Sequence, residues 1–68
     1  MNTEIITIGD EILIGHIADS NAHWMANHLT ENGFEVRQIT TIPDRVDRIV
    51  HALAEAGGRS DFVFVTGG

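Results

Sequence analysis

The sequence contains no cysteine and no lysine, and no long hydrophobic run. Without cysteine there is no disulfide framework and no thiolate metal centre, the devices on which small chains often rely for stability. Histidine does not replace them. His16, His23, His28 and His51 are scattered, and the closest two, His23 and His28, stand at i and i+5, which does not share a helix face. The N-terminal stretch "MNTEIITIGDE" lacks a basic region followed by a long apolar core. No segment approaches the roughly 20 apolar residues that cross a bilayer. These absences argue against secretion and membrane insertion, and the expected location is the cytoplasm.

Positive charge is scarce as well. Four arginines (Arg37, Arg45, Arg48, Arg59) face ten acidic residues, giving a formal charge of −6. Duplex nucleic acid is bound by neutralising phosphates with cations, so this balance excludes nucleic acid as a partner class. A small phosphate-bearing ligand stays open, because backbone amides or a carboxylate-held metal can supply the attraction instead.

What remains is patterned. Two runs, "EIITI" at 4–8 and "DFVFV" at 61–65, are nearly continuously apolar and β-branched or aromatic, as suits strands covered on both faces in a parallel sheet. The more polar "FEVRQITTI" at 34–42 reads as an edge strand. Between them, Ala22, Met25, Ala26 and Leu29 recur at helical spacing, and Val46, Ile49, Val50, Leu53 and Ala54 form a second stripe. Asp19 or Ser20 is placed to cap the first helix and Asp44 the second, and Gly33 and Gly57 stand where left-handed C-terminal caps belong. The order β-α-β-α-β predicts an α/β domain, a three-layer sandwich with a mainly parallel sheet and strand order 2-1-3, the start of a doubly wound domain. Sixty-eight residues bury only about 60 % of the surface exposed on unfolding. A central third strand also needs a further helix over it. The expectation is that residues 1–68 are the N-terminal part of a single domain, ending early after Gly68, with an exposed third strand that favours a homo-oligomer.

In such sheets ligands bind beyond the carboxyl ends of the strands, where strand order reverses. For order 2-1-3 that point lies between the first and third strands, which are followed by "GDEILIG" and "TGG". Gly9, Gly67 and Gly68 either let backbone amides approach a phosphate or make tight turns. Asp10 and Glu11 either hold a magnesium-type cation and position a water, or cap local amides. Asn21 opens the first helix, where free amides meet anions, and Thr40, Thr41 and Asp44 lie at the same edge on the outer strand. His16 is a lone loop histidine, able to act as acid or base but read more simply as solvated. Trp24 is expected to pack on Phe34 or at an interface. No G-x-G-x-x-G or G-K-[ST] pattern occurs.

"EIITIGDEILIGHIADSNAHWMANHLTENGFEV", "IPDRVDRIVHALAEA" and "SDFVFVTGG" together resemble the N-terminal part of the molybdopterin-binding domain family, most closely its CinA-like (competence/damage-inducible protein A) branch. The likeness runs over essentially the whole chain. It rests on G-[DT]-E-[IL]-L-x-G, D-x-N at the first helix, the Asp before the second, and S-D-x-V-x-x-T-G-G. The resemblance implies a three-layer domain of roughly 140–170 residues, an ordinary domain size. Matched position by position, it gives Gly9, Asp10 and Glu11 to the first loop, Asp19 and Asn21 to the first helix, and Thr66, Gly67 and Gly68 to the start of a phosphate loop. For the CinA-like branch it implies metal-dependent hydrolysis of a nucleotide diphosphate such as ADP-ribose, with Asp10 and Glu11 as catalytic and metal-holding residues. The alternative is a non-catalytic molybdopterin-binding module or a molybdenum cofactor biosynthesis protein. On the pyrophosphatase reading the 68-residue piece alone is expected to be inactive.

Overall fold

The computed structural model describes residues 1–10 and 20–67. Five elements follow in order: β1 (Asn2–Ile8), α1 (Ser20–Glu31), β2 (Glu35–Ile42), α2 (Val46–Gly57) and β3 (Phe62–Gly67). The three strands form one parallel sheet in the order β2-β1-β3, as expected from the sequence. The two crossovers travel in opposite directions from β1 and from β2. A right-handed connection in each case therefore sets α1 and α2 on opposite faces of the sheet.

β1 is the centre of the molecule. Thr3 through Thr7 are all buried, because this strand has a neighbour on each side and a helix over each face. Alternation along the strand divides the residues between the faces. Ile6 joins Ile42 and Ala56 in the core beneath α2, with Ile8, Ile49, Ala52 and Val63 packed against it. Ile5 points the other way and is completely buried. On its face Phe34, which follows the turn after α1, meets Phe62 and Phe64 edge to face at 5.4 and 6.4 Å between ring centres.

Several details differ from the sequence expectations. β3 continues through Thr66 and Gly67, so the first two residues of "TGG" are strand and not turn. Arg45, extended at φ −139°, occupies the N-cap of α2 in place of Asp44, and it makes no side-chain capping bond. Gly57 is the last helical residue, and the cap falls on Gly58 in ordinary right-handed geometry at φ −80°. Gly33 does take the left-handed conformation, φ +87°, at the end of α1. The buried face of α2 is also rotated from the expected stripe. Ile49, Ala52 and Ala56 face the sheet, while Val46, Val50 and Leu53 are exposed. The small side chains of Ala52 and Ala56 allow the helix to approach Ile6 and Val63 closely, and the larger valines would hold it away.

Candidate functional site

Ile8 pairs with Ile42 on one side and with Gly67 on the other, so all three strands end at one level. Chain reversal in strand order occurs between β1 and β3. Gly9 and Asp10 therefore leave the sheet beside Thr66 and Gly67, and the start of α1, with Asn21 exposed, belongs to the same edge because the helix descends from the carboxyl end of β1. Glu11, His16, Asp19 and Gly68 lie outside the described residues.

The individual groups differ in what they leave free. The amide of Gly9 donates to the Ile42 carbonyl at 3.1 Å, extending the β1–β2 ladder one residue beyond the strand. That N–H is spent on the sheet. Asp10, the next residue, is exposed. At Gly67 a Cβ would meet nothing within 4 Å, and its φ is not in the left-handed region. Neither packing nor backbone conformation requires glycine there, so the missing side chain simply leaves the approach to the strand end open.

Just below this edge a row of threonines crosses the sheet. Thr7 stands in register with Thr41 on β2 and Thr66 on β3, and the Thr7 and Thr41 hydroxyls are hydrogen-bonded at 2.8 Å. Thr7 is fully buried, while Thr41 and Thr66 are half-buried. The hydroxyls lie on the α1 face, opposite the Ile6 core.

At the other end of β1, Glu4 is a buried carboxylate that the sequence pattern hides inside an apolar run. Arg59 donates to both of its oxygens, Nε to Oε2 and Nη2 to Oε1, each at 2.8 Å, and the Ser60 hydroxyl also donates to Oε2. The guanidinium hydrogen bonds hold the Glu4 carboxyl below the usual carboxylate range, overcoming burial, with help from Ser60. This site lies at the amino ends of the strands, away from Asp10 and Gly67. The usable signal was Glu4 itself: an acid at an inward position of a central strand requires a partner. Of the two placements expected for Trp24, packing on Phe34 is not the one adopted. Trp24 is exposed and stacks on His28, ring centres 4.5 Å apart and planes 20° from parallel, while Phe34 packs elsewhere.

Residues 4–68 match the model of a family described as "Probable molybdopterin binding domain". The chain belongs to that family. It is 44 % identical over 72 residues to a CinA-like protein of Cytophaga hutchinsonii, covering all of this chain and 17 % of the relative. With a protein from Pyrococcus horikoshii it shares 49 % identity over 65 residues, covering 96 % of this chain and 26 % of the relative. A crystal structure of the protein CinA from Thermoplasma acidophilum, described as of unknown function, superposes with a TM-score of 0.90 at 38 % identity. That match covers 94 % of this chain and 38 % of the other. The chain thus spans about a quarter of the length of the archaeal relatives it matches. Among the described residues of this family member, no helix is long and apolar enough to cross a membrane.

Among the described residues of the carboxyl edge, Asp10 is the carboxylate open to a hard cation of the magnesium kind. Such an ion keeps several waters and binds through one or two carboxylates together with ligand phosphates. The described residues hold no group of three or more His, Cys, Asp or Glu placed to ligate a metal without such help.

Proposed function

We propose that this chain contributes the phosphate-binding half of a CinA-like site whose ligand is a nucleotide diphosphate, with ADP-ribose as the representative substrate. The observation that carries the reading is the side-by-side ending of β1 and β3 at Ile8 and Gly67, which brings Asp10 and an unobstructed glycine together at the switch point of the sheet. Gly67 admits a phosphate to the strand end, with the Thr66 hydroxyl beside it and Gly68 the next residue of the matched phosphate-loop motif. Asn21 and the opening amides of α1 contribute donors, with Asp19 just before them.

Asp10, with Glu11 following it, would hold the divalent cation. Bound there, the cation would offset phosphate charge and acidify a water. The reaction adds water across the P–O–P linkage of ADP-ribose and releases AMP and ribose 5-phosphate, the carboxylates orienting the water and accepting its proton. Chain residues would supply the rest: backbone amides at the opening of α1, which can donate to the charged phosphate oxygens.

The test is a titration of the chain with ADP-ribose, with and without Mg²⁺, followed by amide NMR. Shifts at Asp10, Thr66 and Gly67 that require Mg²⁺ and vanish in Asp10→Ala support the reading. A spectrum indifferent to ADP-ribose overturns it. A second reading is a binding module for molybdopterin with no chemistry, in keeping with the family description "Probable molybdopterin binding domain". It predicts binding that survives EDTA.

A further inference from the structure

A second polar site lies at the opposite end of the sheet, in a groove of about 280 Å³ lined by Asn2, Glu4, Arg37, Gln38, Arg59 and Ser60. Two of the four arginines in a chain of charge −6 line it. Arg37 arrives there through a break in the ladder. Thr3 pairs with Val36 but Glu4 pairs with Gln38, so Arg37 is an extra residue bulged out of β2, and its side chain is re-aimed relative to the pleat.

The hydrogen-bonding balance of the groove is one-sided. Both Glu4 oxygens are occupied by Arg59 and Ser60, and Asn2 Oδ1 accepts from Arg37 Nη1 at 3.4 Å. Arg59 has spent two of its five N–H groups on Glu4, Arg37 one on a long bond, and Gln38 one on Thr40. What faces the groove is a surplus of donors. Of the acids around it, Glu4 is ion-paired with Arg59, and Glu35 stands 3.9 Å from Arg37 with both side chains more than half exposed, a pairing that screening leaves weak. Asp61, beside the groove, accepts the Asn2 amide through Oδ2, and Glu55 acts on Arg59 from α2.

We propose that this groove binds a small tetrahedral oxyanion of the phosphate class, gripped by Arg37 with the outer N–H groups of Arg59. The site is independent of the carboxyl edge. Because the acidic chain opposes anions at long range, binding is weak, in the millimolar range.

The experiment titrates inorganic phosphate into the 68-residue chain carrying Gly67→Ala, which weakens the proposed carboxyl-edge site, at ionic strength held constant with sodium chloride, and follows backbone amides by NMR. The expected result is saturable shifts at Asn2, Arg37, Gln38 and Ser60, with affinity reduced at least about fivefold in Arg37→Gln, the loss of one charge-assisted contact. Chloride alone producing the same shifts, shifts that do not saturate, or affinity unchanged in Arg37→Gln would each overturn the proposal. Arg37 is exposed and bridges nothing in the core, so its removal leaves the fold intact and the outcome readable.

Discussion

Arg59, two residues beyond the end of α2, closes on Glu4 of the central strand with two parallel hydrogen bonds of 2.8 Å, although 55 residues separate them in sequence. The pair ties the α2–β3 turn to β1. It also gives stability a dependence on pH. The Glu4 carboxyl is lowered in the folded chain, so its contribution is fully present above the unfolded value, near 4.3 for glutamate, and is lost as pH falls through the depressed native value. Thermal unfolding between pH 7 and pH 3 therefore shows a falling melting temperature. In Arg59→Met the melting temperature at pH 7 is lower by several degrees and its decline toward pH 3 is shallower. Identical slopes in the two proteins would refute the linkage.

Gly33 and Gly67 both have empty surroundings, yet they predict opposite responses to alanine. Gly33 sits at φ +87°, so Gly33→Ala costs about 1–2 kcal/mol through left-handed strain alone. Gly67→Ala changes stability by less than about 0.5 kcal/mol. Chemical denaturation measures both, and equal losses would contradict the conformational argument.

Ligand binding separates the same glycine from the fold. In the proposed site a methyl group at residue 67 stands where a phosphate approaches, so Gly67→Ala weakens ADP-ribose binding about tenfold or more, an effect of the size expected for losing a charge-assisted hydrogen bond. Calorimetric titration against an unaltered melting curve provides the check.

The rotation of α2 is tested by two substitutions on one helix. Val50 is 60 % exposed, so Val50→Gln changes stability by no more than about 0.5 kcal/mol. Ala56 is 1 % exposed and lies against Ile6 and Ile42, so Ala56→Leu overpacks the core at a cost of about 1–3 kcal/mol. If Val50→Gln were the more damaging, the helix would face the sheet through its valine stripe.

The position of the candidate site was legible early because it depends on topology. Once β1 and β3 are recognised as neighbours, Asp10 and Gly67 must emerge at the same edge. The state of each group there was not legible. Nothing local distinguishes Gly9, whose amide is consumed by Ile42, from Gly67, whose surroundings are open. The Thr7–Thr41 bond was hidden for a similar reason, since it joins residues 34 apart whose register depends on where β2 bulges.

By itself the sequence determined the order of elements, the parallel sheet and the sequence β2-β1-β3, because strand and helix periodicities are local and a right-handed crossover leaves few arrangements. Tertiary structure alone decided which stripe of α2 is buried, which carboxylate is held by an arginine, and which of the two glycines expected to be left-handed, Gly33 and Gly57, is so. An apolar stripe restricts a helix to a range of rotations. Only the volume of the opposing side chains selects among them, and here Ala52 and Ala56 let the helix settle against Ile6 while Val46 and Val50 turn outward.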